Sequence, residues 1–408
     1  MNSAGRASSG ATAFRFVLLM GLVDLFGDTA YSGGASMNGL FLASVGAGAA
    51  VISIVGGLSE FLNYLTRGVS GYFADRIRRR WPLVFVGYGL NLLAVPALAV
   101  AGYWQVAAAL ILLQGIGRGI RKPLVQAMLS YTTSRYGRGW IYGVNTAMDH
   151  TGRTLGPLVV AGALLLTATF RTAYALLVVP AVLALITLTI ARMRFPTPAA
   201  IEPRRQPVPT EGFTRSYWLY LAAGACFAAG LMNFELISFH LARSGVTRDS
   251  VPLFLALATG IGALASLGLG RLYDRVGLPV VLVAVVATAA FSPFVFLLPV
   301  HLALVGMALW GIGQATQDSL LTALVAGVLP RGRRNLAFGL YYAGYGVGWL
   351  IGAVAAGLLY ERSHLALVVF AAGAQLLSLP IFLAARRRSG REAAGAASAD
   401  AGTERAPG

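Results

Sequence analysis

Twelve apolar stretches follow one another along this chain, at roughly 15–43, 47–72, 82–101, 104–131, 140–166, 172–191, 217–243, 250–270, 278–297, 301–328, 335–359 and 364–385. A helix of about 20 apolar residues crosses a bilayer, and each stretch has that length. Charged residues make up only 12% of the sequence, about half the share of a soluble domain. The runs lack the short alternating pattern of barrel strands. The 50 glycines supply the small contact residues that helices in lipid use. The expectation is an all-α polytopic membrane protein with twelve transmembrane helices in two pseudo-symmetric six-helix bundles.

The polar, proline-rich stretch 193–215 (MRFPTPAAIEPRRQPVPTEGFTR) reads as a cytoplasmic linker. It divides a first bundle (15–192) from a second (216–386). Residues 1–14 form a cytoplasmic tail, and the Ala/Gly/Ser-rich stretch 387–408 reads as a disordered one. The N-terminus does not read as a secretory signal, because its apolar run continues through Asp24 and Asp28.

The net charge of +17 does not point to nucleic acid, because the arginines fall in short clusters between apolar runs. With both termini inside, the inner connections hold Arg76, Arg78, Arg79 and Arg80, then Arg135 and Arg138, five arginines around the linker, Arg275, and Arg331, Arg333 and Arg334. The outer ones hold Arg171, Arg243, Arg248 and Arg362. That bias places both termini in the cytoplasm of an inner-membrane, multi-pass protein. The lone Cys226 excludes an internal disulfide framework and a thiolate metal site.

The two halves repeat at an offset of 196 to 199 residues. FLASVG (41–46) matches HLARSG (240–245), and QGIGRGIRK (114–122) matches WGIGQATQD (310–318). Gly143, Gly152 and Gly156 match glycines at 339, 348 and 352. Paired repeats of this kind place a substrate site at the midplane between them.

Charge at bilayer depth is costly and marks function. Segments three, six, nine and twelve carry no charged residue, whereas one, four, seven and ten each carry at least one. Within each three-helix unit, the first helix is expected to line a cavity and the third to face lipid. Asp24 and Asp28 lie one turn apart on the first segment. Glu60 sits mid-span on the second, with Arg67 nearer its end; Arg118, Arg121 and Lys122 sit on the fourth, Asp149, His150 and Arg153 on the fifth, Glu235 on the seventh, and Gln314 and Asp318 on the tenth.

GYFADRIRRR (71–80) resembles the loop signature Gly-x-x-x-Asp-Arg-x-Gly-Arg-Arg of the major facilitator superfamily, with Arg78 where that signature has glycine. GRLYDRVG (270–277) is a second copy that keeps Gly277. The resemblance covers about 15–386. It implies that Gly71, Asp75, Arg76 and Arg79, with Gly270, Asp274 and Arg275, form gating corners. Asp75 would latch the cytoplasmic side through a loop arginine and the N-terminus of helix eleven, and Asp274 would latch against the other half. Gly143, Gly152 and Gly156-Pro157 resemble the antiporter signature of the family's drug exporters, without its final glycine pair. GDTAYSGG, GRGIRKP and AMDHTGRTLGP resemble a prokaryotic branch of the superfamily with poorly characterised substrates.

Candidate roles follow. Asp24, Asp28, Glu60, Asp149 and Glu235 are the coupling acids; Asp24 and Asp28 alternatively bridge to Arg118 or Arg121, and Asp149 to Arg153. Arg118 matches an arginine of related exporters. With Arg121, Arg153, Gln314, Asp318, Tyr341, Tyr345 and Trp349 it makes up the substrate cavity, a charged first-half wall opposite an aromatic second-half wall. His150 is either a relay or a hydrogen-bonded structural residue. The expected function is proton-coupled efflux of a small amphipathic solute by a monomeric secondary transporter working by alternating access. The alternatives are an importer or exchanger of an anionic metabolite and a transport-dead receptor or scaffold. No phosphate-binding loop, metal-ligand cluster or nucleophile–base pair occurs, so neither ATP-driven transport, a cofactor, a metal nor an enzyme is expected.

Overall fold

The computed structural model describes residues 3–74, 80–130, 138–196, 212–326, 328 and 334–403. The first five apolar segments are single helices: α1 Ser3–Ser44, α2 Ala49–Ala74, α3 Arg80–Ala97, α4 Trp104–Ser130 and α5 Arg138–Thr167. The sixth is α6 Phe170–Leu176 and α7 Val178–Arg194. The seventh divides into α8 Arg215–Leu231 and α9 Phe234–Arg243, followed by α10 Val251–Val276. The ninth is α11 Leu278–Ala289 and α12 Phe291–Phe296. The tenth is α13 Ala303–Ala315, a π-helical turn Thr316–Leu321 and α14 Thr322–Ala326. The last two are α15 Arg334–Arg362 and α16 His364–Thr403.

Among the described residues, nine helices are long and apolar enough to cross a membrane. Of the other three runs, α4 and α5 carry the charged clusters, and the tenth segment is interrupted by the π-turn. Leu93 of α3, Ile186 of α7, Val283 of α11 and Leu377 of α16 are all exposed. These are the third helices of the four three-helix units, and such an apolar surface suits lipid.

The repeat is visible in backbone detail. After α1, Gly46 takes φ +95°, and the Ala47 N–H reaches back to Leu42 O at 2.9 Å. After α9, Gly245 takes φ +93°, and the Val246 N–H reaches Leu241 O at 3.0 Å. Both are the same left-handed glycine stop. The helix pairs between the chain's halves are also repeat-equivalent: α2 packs along α15, and α5 packs along α10.

Small residues set the closest approaches. A Cβ at Gly156 would lie 2.3 Å from Thr29 O, and one at Gly352 would lie 2.1 Å from Ala229 O. The glycines that resemble an antiporter signature therefore press α5 onto α1, and their repeat mates press α15 onto α8. Gly143 lies in the same helix α5.

Two expectations change. The seventh segment is not one helix: Met232 takes φ +58° and Asn233 restarts the chain as α9. The stretch after Arg386 is helical to Thr403 rather than disordered, in keeping with its alanine content. Asp75, Arg76 and Arg79 lie outside the described residues. Of the second corner, Gly277 takes φ +77° at the end of α10, and Asp274 and Arg275 are exposed with no ion pair among the described residues. Gly71 lies in α2, and a Cβ there would be 3.8 Å from Pro123.

Candidate functional site

The intramembrane charges of the first half form a ladder of alternating sign. Arg121 of α4 is fully buried, at 0% exposure. Its guanidinium donates to Asp24 Oδ1 at 3.1 Å and to Asp28, and it lies 4.8 Å from the Tyr88 ring. Asp24 also accepts from Tyr88 Oη at 2.7 Å and from Asn145 Nδ2 at 2.8 Å. Lys122 Nζ bonds Asp28 Oδ2 at 3.1 Å and also Asp149. Arg153 Nε lies 3.4 Å from Asp149 Oδ2, and its Nη1 reaches Asp318 Oδ2 at 3.0 Å. Four carboxylates and three cations thus run from α1 to the π-turn of the tenth segment, and the last rung joins the two halves. Burial without partners would cost several kcal/mol per ion; here each carboxylate and each cation has at least one.

Space for this packing comes from missing side chains. A Cβ at Gly87 would lie 2.9 Å from Arg121 N, so α3 can pass close beneath it.

Beyond the ladder lies a cavity of about 120 Å³ at the seam between the halves. Its charged lining is Glu60, Arg118, Arg153, Glu235 and Asp318, with His150 alongside. Arg118 Nη1 pairs with Glu60 Oε1 at 2.9 Å and also donates to the Tyr31 hydroxyl at 3.2 Å. Asn63 Nδ2 donates to Glu60 Oε2 at 3.0 Å. Glu235 has no cation paired to it among the described residues; its polar neighbour is Asn38. Phe234, Trp310 and Trp349 give the same cavity an aromatic surface.

The break in the seventh segment builds one wall. Asn233 Oδ1 accepts from the Leu236 N–H at 3.2 Å and so caps α9. Its amide donates to Ser53 O of α2 at 2.7 Å. Trp310 Nε1 donates to Leu231 O at 2.9 Å and Met232 O at 3.2 Å, taking up carbonyls that the break releases. Irregular backbone at membrane depth is tolerated where it lines a cavity and is satisfied in this way. The π-turn that holds Gln317 and Asp318 is a second such irregularity.

Of the expected substrate-cavity residues, Arg118, Arg153, Gln314, Asp318 and Trp349 line the cavity, and so do Glu60 and Glu235, expected as coupling acids. Asp24, Asp28, Arg121 and Asp149 do not line it; they sit in the ladder behind it. Tyr341 turns away: a Cβ at Gly224 of α8 would lie 2.7 Å from its hydroxyl. Tyr345 Oη donates to Gln317 Oε1 at 3.0 Å, and Gln317 Nε2 bonds Tyr64 Oη. Tyr64 stacks on Tyr342, ring centroids 6.0 Å apart, and Arg67 lies 4.3 Å over the Tyr342 ring. Tyr341, Tyr342 and Tyr345 instead surround a smaller cavity of about 30 Å³, which shares Tyr64, Gln317 and Asp318 with the first. Tyr31, Tyr64, Asn233, Trp310 and Gln317 are cavity residues that sequence reasoning passed over. Two carried a signal: Gln317 is the repeat mate of Arg121, and Asn233 is a helix-starting residue inside an apolar run.

A sequence profile described as Major Facilitator Superfamily matches residues 17–325 and 245–406. An uncharacterized protein of Mycobacterium tuberculosis (strain H37Rv) is 34% identical over 395 residues, covering 94% of this chain and 95% of that protein. An uncharacterized MFS-type transporter of Methanocaldococcus jannaschii is 25% identical over 360 residues, covering 85% of this chain and 89% of that one. Among solved structures, a POT family transporter in complex with 5-aminolevulinic acid superposes with a TM-score of 0.75 at 11% identity, covering 91% of this chain and 96% of that one. A variant of the nucleoside transporter NupG gives 0.73 at 14% identity, covering 91% and 99%. At such identities these two structures speak for the fold alone. The profile and the relatives establish the rest: this chain is a multi-pass membrane transporter of small solutes and belongs to the Major Facilitator Superfamily.

Proposed function

We propose that the chain is a proton-coupled secondary transporter exporting a small amphipathic solute from the cytoplasm. Twelve spans in two six-helix bundles (15–192 and 216–386) would rock about the seam, with both termini inside. One observation carries the reading: the cavity is lined from both halves and is crossed by the Arg153–Asp318 pair at 3.0 Å. A site so built must be rearranged whenever one half moves against the other.

The α2–α15 contact supports alternating access. On one side of the cavity, Arg67 lies against Tyr342. On the other, Ser53 Oγ donates to Ala353 O at 2.7 Å, and Glu361 Oε1 accepts from the Ala50 N–H at 3.2 Å. Either end can part while the other holds. The ladder supports proton coupling. Its four carboxylates and three cations leave one negative charge, which a single proton neutralises. A proton taken up on Asp28 or Asp149 frees part of Lys122 or Arg153, and Arg153 then shifts its hold on Asp318. Arg118 and Arg153 are each engaged by a carboxylate, which weighs against an anionic cargo.

The test uses purified protein in liposomes with a pH-sensitive dye inside. A proton gradient is imposed and lipophilic cations, weak acids and organic anions are added in turn. Solute-induced proton flux that is lost in Asp28→Asn is the expected result. Solute movement without protons, unchanged in the variant, would leave the ladder as scaffolding only.

A further inference from the structure

We propose that the cavity recognises a compact organic cation, a protonated amine on an apolar body carrying a hydrogen-bond acceptor, with Glu235 as the counter-charge. This rests on the transporter reading and names its cargo class.

The charges around the cavity carry the argument. Glu60 is matched by Arg118 at 2.9 Å, and Asp318 by Arg153 at 3.0 Å. Glu235 is the fifth charged group of the lining, and among the described residues no cation matches it. Glu235 is therefore the carboxylate of the lining that stands without a cation beside it, in a setting where lone charge is expensive. A monocation entering the cavity gives Glu235 a partner, whereas an anion would have to displace a carboxylate from an arginine.

The position of Glu235 fits the role. Its carboxylate reaches across the seam to α2, where a Cβ at Gly56 would lie 2.8 Å from Oε2. The side chain is half-buried and open to the cavity. It stands in the first turn of α9, where backbone N–H groups favour a negative charge. The positive end of that helix is thus already occupied by the protein's own carboxylate and by the Asn233 cap, so it does not call for an anionic ligand.

The rest of the cavity describes the body of the cargo. Phe234, Trp310 and Trp349 present rings, which suit an apolar group and attract a cation held near their faces. The two tryptophans differ. Trp310 Nε1 is satisfied by two backbone carbonyls. Trp349 is 4% exposed, and its Nε1 has no partner among the described residues. A buried donor left unpaired is costly, and an ether or carbonyl oxygen on the bound solute would complete it. A bare metal cation would use neither the rings nor this N–H.

The experiment compares three solutes that share one phenoxy body with an ether oxygen: 2-phenoxyethylamine, 2-phenoxyethanol and phenoxyacetate. Binding to the full-length protein in detergent is measured by titration calorimetry. The amine is expected to bind at least about tenfold more tightly than the alcohol or the acid. Glu235→Gln, which keeps the side-chain shape, should bring the amine down to the alcohol's affinity. Glu235→Asp should recover part of the difference, and thermal unfolding of both variants checks that the fold is retained. Trp349→Phe should weaken amine and alcohol alike. Tighter binding of phenoxyacetate, an unchanged amine-to-alcohol ratio in Glu235→Gln, or binding of none of the three would overturn the proposal. The same solutes are then offered to the protein in liposomes. Uptake of phenoxyacetate but not of the amine would keep the transporter reading and remove only the cation assignment. Amine binding that survives without any transport would strike the transport reading instead.

Discussion

The two halves of this transporter share a repeat but solve the problem of intramembrane polarity differently. The first half keeps its charge-bearing helices α1, α4 and α5 unbroken and neutralises its charges against one another, around the buried Arg121. The second carries little charge and instead deforms its backbone, at Met232–Asn233 and in the π-turn Thr316–Leu321. The repeat position makes the contrast sharp. Arg121 of the first half corresponds to Gln317 of the second, 196 residues later. One holds two aspartates; the other links Tyr64 to Tyr345 by neutral hydrogen bonds. Paired charge is suited to moving a proton, and irregular backbone is suited to shaping a cavity.

Exchanging these positions gives the largest expected effect. Arg121→Leu leaves Asp24 without a cation and Asp28 with Lys122 alone, and should cost about 3–5 kcal/mol, read as thermal unfolding in detergent. Gln317→Leu removes neutral bonds and should cost about 1–2 kcal/mol. Equal losses would erase the distinction between the halves. Where the halves agree, their penalties should agree too. Gly156→Ala and Gly352→Ala each press a Cβ against a backbone carbonyl, at 2.3 and 2.1 Å, and each should lose about 1–3 kcal/mol. A large loss at Gly156 with none at Gly352 would mean that the first glycine serves something other than packing.

The broken helix should be more tolerant. Asn233→Ala removes the α9 cap and the Ser53 contact and should cost about 1 kcal/mol, while transport falls further than stability does. The smallest stability effect is expected at the inter-half rung. Arg153 and Asp318 are partly open to the cavity, so a double-mutant cycle of Arg153→Gln with Asp318→Asn should give a coupling near about 0.5–1 kcal/mol. Transport should nevertheless drop in each single variant, because the proposed cycle breaks and reforms that pair at every turn.

Much of this was legible in the sequence, for identifiable reasons. Charge in an apolar run is conspicuous, so Glu60, Arg118, Arg153, Glu235 and Asp318 stood out, and the repeat showed that they would meet at a seam. Which acid takes which cation was not legible. Arg118 and Arg121 are three residues apart on α4, and the choice of Glu60 for one and the aspartates for the other depends on which neighbouring helix each face meets. The break at 232–233 was hidden because its neighbours are apolar on both sides, leaving only Asn233 as a signal. The aromatic residues divide: tyrosine at helical spacing marks a face, but only packing shows that Trp349 lines the cavity, Tyr345 reaches it through Gln317 and Tyr341 lies against Gly224 of α8.

Alternating movement of α2 against α15 is the core of this reading, and crosslinking tests it directly. In a Cys226→Ser background, Arg67→Cys with Tyr342→Cys would pin one end of that helix pair, and Ala50→Cys with Glu361→Cys the other. Transport is measured in liposomes before and after a short thiol crosslinker that a reductant can cleave. Alternating access predicts that either crosslink alone stops transport and that the reductant restores it. Full-rate transport with either end pinned would contradict it.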